Sequence, residues 1–154
     1  MANYKADDYS KVSYMGEYGN VSVAMAHFDN IGAINGSAGF ANGDTADLFQ
    51  LPAGAKPLRG WVYVGSNALE TSTIMVGLKY ADGTSTGGST GSAVLFAGTG
   101  SAVTAAHTRY DMRFTPSTFD ADTICYLSWQ SPGAPTDDGN PVDVVLQYVA
   151  TGQK

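Results

Sequence analysis

The letters G-x-S-x-G stand at Gly87-Gly88-Ser89-Thr90-Gly91 and raise the question of a serine nucleophile. A nucleophile elbow needs a buried strand before the serine, a helix after it, and an acid and then a histidine later in the chain. Here the serine sits in a Gly/Ser/Thr run, a strand-like stretch follows, and His107 precedes Asp111. The order is wrong for that fold, and the chain is read as non-enzymatic, with a Ser89 hydrolase as a rival. His27 and His107 each sit at the end of a strand-like stretch. A metal centre uses three or four ligands with close pairs, and Cys125 is the single thiol, so no cofactor and no metal is expected. Asp120-x-Asp122 and Asp137-Asp138-Gly139-Asn140 offer oxygen ligands for a calcium ion in a loop, but neither matches the twelve-residue helix-loop-helix pattern, and Asp and Asn are also ordinary turn residues. Trp61, in RGWVYV, and Trp129, in CYLSWQ, raise a sugar-stacking platform; large aromatics in apolar strands are more often buried or in subunit contacts.

Two features point to docking rather than to catalysis. His107, Arg109 and Arg113 alternate along one face of a strand-like stretch, opposite Tyr110, Met112 and Phe114. With Asp111 offsetting part of its charge, this stripe is either a solvated face or a contact for an acidic partner or an acidic edge of a sister subunit. The second feature is the start of the chain, MANYKADDYSKVSYMGEYGN, where Tyr4, Tyr9, Tyr14 and Tyr18 follow neither a helix nor a strand period for long. Fixing such a segment costs about 1–2 kcal/mol per residue in backbone entropy. Each buried tyrosine returns about 1.5–3 kcal/mol. To be ordered, the arm therefore needs backbone hydrogen bonds as well, from a sheet edge or a partner; the alternative is a frayed terminus.

The bulk composition narrows the class. A length of 154 residues suggests one domain, read as an extended arm over 1–19 and a sandwich over 20–154. The net charge of −6 argues against a nucleic-acid partner, because neutralising phosphates takes clustered Lys and Arg. No apolar run approaches the roughly 20 residues of a membrane-spanning helix, and no signal peptide is expected. One cysteine precludes an internal disulfide and fits a reducing compartment. A charged fraction of 14% with 19 glycines is the profile of a β-protein with polar, uncharged loops, and suggests surface covered by other copies or a partner.

Alternation places the strands. Ile74, Val76, Leu78 and Tyr80 share one face, as do Val142, Val144, Leu146 and Tyr148. Further strands are expected at 20–28, 45–51, 58–65, 92–97, 110–114 and 123–130, with a short helix at 101–108. Asn35-Gly36, Asn42-Gly43, Asp82-Gly83 and Asp138-Gly139 supply turns that tolerate positive φ. The Gly/Ser/Thr run at 82–92 reads as a loop. Many short strands with frequent turns imply an all-β, single β-sandwich, jelly-roll-like.

Four phrases, MANYKADDYSKV, FQLPAGAKPLRGWVYV, GLKYADGTSTGG and FDADTICYLSW, resemble the small structural proteins of tailed bacteriophages, often β-sandwich decoration or cement proteins. The resemblance spans nearly the full length. It implies a non-enzymatic virion component on the outer surface of the capsid, made in the bacterial host cytoplasm. It also implies a homotrimer that clamps neighbouring major capsid protein subunits and stabilises the head. A tail- or fibre-associated sandwich that recognises glycan or another virion protein is the alternative.

Overall fold

The computed structural model of the protein describes residues 3–6, 20–34, 37–65, 73–82, 93–102, 107–112, 118–130 and 141–151. The strands are β1 (Asn3–Lys5), β2 (Val21–Phe28), β3 (Ala33–Ile34), β4 (Ser37–Ala38), β5 (Thr45–Leu51), β6 (Ala55–Val64), β7 (Thr73–Tyr80), β8 (Ala93–Ala102), β9 (Thr108–Asp111), β10 (Thr123–Gln130) and β11 (Val142–Ala150). One sheet runs β2-β11-β6-β9 and the other β1-β5-β10-β7-β8, while β3 and β4 form a separate short ladder. Every pairing is antiparallel except β1 on β5, which is parallel.

Setting β1, β3 and β4 aside, the first sheet holds the first, last, third and sixth strands in chain order. The second holds the second, seventh, fourth and fifth. Successive strands thus cross repeatedly between sheets, which is the jelly-roll arrangement expected from the sequence. Such crossing closes one core between two faces. Ala24, Ala26 and Phe28 of β2, Val144, Leu146 and Tyr148 of β11, and Val62 and Val64 of β6 line one side of it. Ile74, Val76 and Leu78 of β7, with Cys125, Leu127 and Trp129 of β10, line the other. Each large apolar side chain withdrawn from water there contributes about 1.5–3 kcal/mol before conformational entropy is set against it.

The sheet edges differ from the sequence expectation in four places. Ser101 and Ala102 end β8, and Thr108 begins β9, so the expected helix at 101–108 is overturned at its described residues. Pairing with β7 and β6 outweighs the weak helical preference of that stretch. For the same reason β8 runs on to Ala102, past the expected end at 97. The strand expected at 110–114 starts earlier, at Thr108. Its last residues, among them Arg113 and Phe114, lie outside the described ones. β6 begins at Ala55 and passes through Pro57. Proline is tolerated there because the β11–β6 register shifts beside it, at Gln147/Tyr148, and β9 reaches only Trp61 to Val64 on the other side.

Tight backbone sets the turn into β5. Gly43 has a φ of 88°, where a side chain would be strained, and its N–H donates to the carbonyl of Trp129 at 2.9 Å. That bond ties the Asn42-Gly43 turn to the end of β10.

Candidate docking surface

Residues 3–6 are tied to this same chain. β1 pairs in parallel with the outer edge of β5, with Tyr4 beside Ala46, and the Ala6 N–H donates to the Asp47 carbonyl at 3.0 Å. Tyr4 is half-buried, and its ring lies 5.1 Å from that of Phe40 at 59°. Phe40 in turn sits 6.0 Å from Phe28 and 6.4 Å from Trp129. Offset and edge-on ring pairs of this kind add about 0.5–1.5 kcal/mol beyond buried area. Residues 3–6 thus gain both the hydrogen bonds and the apolar contacts that ordering requires. Tyr9, Tyr14 and Tyr18 lie outside the described residues.

The basic stripe is built on β9 and the turn before it. His107 is exposed and holds a φ of 52°, an uncommon conformation for a residue with a side chain. Its Nδ1 lies 3.3 Å from the Tyr63 hydroxyl. Arg109 is exposed, with its guanidinium 4.4 Å from the centre of the Trp61 ring and 2.8 Å from the Asp111 carboxylate. Both Arg109 contacts are made within the outer face of the four-stranded sheet. The structure therefore brings His107 and Arg109 onto one face, with Asp111 compensating the arginine charge locally. Arg113 lies outside the described residues.

The two tryptophans part company. Trp129 is fully buried, while Trp61 is partly exposed on the outer face beneath Arg109. A two-tryptophan sugar platform is therefore not formed. Cys125 is also fully buried, and burial pushes its thiol pKa well above the ordinary range, which leaves it inert at neutral pH. Asp120 and Asp122 line an open cleft of about 350 Å³ with Ala53, Tyr80, Ala81, Asp82 and Ala121. Asp122 is spent on structure there, accepting from the Ala53 N–H at 2.9 Å and the Gln50 amide at 3.1 Å. Among the described residues, no group of three His, Cys, Asp or Glu side chains is placed to hold a metal. Ser89 and 137–140 lie outside the described residues.

Strand register adds features that sequence reading did not single out. It aligns His27, Asp143, Tyr63 and Arg109 in one row across the outer face, and Met25, Val145, Trp61 and Asp111 in the next. At the β2 end, the imidazole of His27 lies between two carboxylates, with Nδ1 2.5 Å from Asp143 and Nε2 2.8 Å from Asp29. The Asp143 hydrogen bond raises the His27 pKa above 6.5, with a further push from Asp29 and opposition from partial burial. The cationic form is thus favoured in the folded state. Its contribution to stability is complete below pH 6.5 and is lost as pH rises through the raised folded value. The melting temperature of the wild type should therefore fall more than that of His27→Gln as pH rises from the acid side of that window to the alkaline side. Parallel melting curves for the two proteins would contradict this. Alongside the cluster, Val21, Val23 and Met25 of β2 are 59%, 44% and 58% exposed, an apolar row on the outside of the sheet.

No family model and no curated protein matches the chain. Solved structures do. A chain in the capsid of Ralstonia phage GP4 shares the fold with a TM-score of 0.64 at 19% identity, covering 99% of this chain and 100% of that one. A chain in the acidic stable capsid structure of Helicobacter pylori bacteriophage KHP30 follows with a TM-score of 0.54 at 16% identity, covering 88% of this chain and 91% of that one. The class defined is an all-β jelly-roll sandwich, shared from end to end with the GP4 chain.

Proposed function

We propose that this chain is a non-enzymatic structural component of a phage particle, and specifically a capsid decoration or cement protein. The observation that supports the reading is the fold match over 99% of this chain with a chain of the GP4 capsid. The protein sits on the outer surface of the head after synthesis in the bacterial host cytoplasm. It acts as a homotrimer that bridges neighbouring major capsid protein subunits and so resists rupture of the head. Threefold attachment suits this role, since linked sites gain 10²–10⁴ in avidity when all engage together. Tyr9, Tyr14 and Tyr18 of the arm, with His107, Arg109 and Arg113, are the docking residues of this scheme, while Tyr4, packed on Phe40, anchors the arm to its own sheet. A net charge of −6 is consistent with a protein kept away from packaged DNA.

Heads assembled without the protein provide the test. Adding the purified wild type should raise the temperature at which they release DNA. Arg109→Glu with Arg113→Glu should bind more weakly and protect less. Heads that gain nothing from the wild type would refute the decoration role. Equal protection by the double variant would remove the two arginines from it.

A further inference from the structure

Sheet edges expose backbone donors and acceptors to any passing strand, and most proteins blunt them with short strands, bulges, prolines or lysines. Among the described residues, three of the four edges of the two large sheets are treated in that way. β1 is 3 residues long and covers β5, β9 is 4 residues long and carries Arg109 and Asp111, and β8 breaks register with β7 twice. β2 is the exception. Its 8 residues, Val-Ser-Val-Ala-Met-Ala-His-Phe, contain no proline, glycine or lysine. They pair with β11 without a bulge from Val142↔Phe28 to Val149↔Val21. Among the described residues no strand is bonded to its other side. The larger apolar residues Val21, Val23 and Met25 point out, while the small Ala24 and Ala26 point into the core.

We propose that β2 pairs with the same strand of a second copy, antiparallel, about a two-fold axis at Val23. A strand is the occupant that satisfies an open ladder, and this strand supplies the matching side chains itself. In that register Val23 faces Val23 of the second copy, and Val21 faces Met25 of the second copy, so each exposed apolar side chain meets another. Ser22 faces Ala24 of the second copy on the inner side, where neither is bulky. Residues 21–25 carry no charge, so two acidic molecules meet without opposed charges along the paired segment. The His27, Asp29 and Asp143 cluster falls beyond it. The contact goes beyond the decoration reading: a three-fold interface holds a trimer, and this two-fold pairing joins one trimer to the next.

Cysteine cross-linking of the full-length protein tests the register. Cys125 is buried and gives little background. Directly opposed antiparallel residues have Cα atoms about 4.5–5.5 Å apart, within disulfide range. Val23→Cys under mild oxidation should therefore give a dimer-sized band on a non-reducing gel. Its rate should exceed by about 10² that of Gln147→Cys, on the neighbouring inner strand, as for thiols already held together. Val21→Cys with Met25→Cys in one chain should also cross-link, and Val23→Lys should lower the assembly size in light scattering with its melting temperature unchanged. A Val23→Cys protein that oxidises no faster than Gln147→Cys, or a Val23→Lys protein that assembles as the wild type does, overturns the pairing. Light scattering of the wild type that shows no trimer, beside a fast Val23→Cys cross-link, would count against the trimer alone.

Discussion

Trp129→Ala costs about 3–5 kcal/mol in urea unfolding, the usual range for truncating a large buried aromatic. Trp129 is fully buried, stacks 6.4 Å from Phe40, and through Phe40 supports both Phe28 and Tyr4. Its backbone also pins the entry to β5, with its N–H on the Asp44 carbonyl at 3.0 Å and its carbonyl accepting from Gly43. Those backbone bonds survive the substitution, so the loss comes from the cavity and from loosened ring contacts. The indole Nε1 is buried with no hydrogen-bond partner among the described residues. An unsatisfied buried donor costs about 1–3 kcal/mol, which Trp129→Phe relieves while leaving a smaller void. Phenylalanine should therefore retain much more stability than alanine does. Equal midpoints for the two variants would mean that the ring is not a packing centre.

Gly39→Ala is the second large effect, at about 1–3 kcal/mol, the cost of forcing extra volume into a packed site. An added Cβ would overlap the backbone carbonyl of Gly32 and the carbonyl oxygen of Ile31. Backbone cannot rotate aside as a side chain does. The ladder of β3 and β4 would have to part from the segment leading to Phe40, whose N–H donates to Ile31 at 3.1 Å. Gly77→Ala provides the contrast. Its Cβ would come 2.6 Å from the ring of Tyr126, a partly exposed side chain that can shift where backbone cannot. Thermal melting should rank Gly39→Ala well below Gly77→Ala. The opposite ranking would place the rigid contact at β7 instead.

How far the sequence discloses this molecule depends on what each residue's neighbours are. Alternation in β7 is legible because Ile74, Val76 and Leu78 face one core and their neighbours do not. In β2 both alternate sets are apolar, so period alone cannot say which faces inward. The outcome is counterintuitive, with alanines inside and valines outside. β1 forms only 3 paired residues, too few for a period, and its order comes from β5 and Phe40. Trp61 and Trp129 look alike in their local strings, yet one is on the outer face and the other in the core. The His27 cluster depends on the Asp143↔His27 register, a pairing of residues 116 apart in the chain that no local pattern encodes. The same holds for Arg109 over Trp61, which requires β6 and β9 to be neighbours.

The central claim is that this jelly roll decorates a phage head. The most direct measurement is its copy number in purified, intact virions, by quantitative mass spectrometry against the major capsid protein. The account predicts a near-integer ratio to the capsid subunits, as lattice attachment requires. Only a few copies per particle would move the chain to a tail or fibre position, and none at all would contradict the virion role.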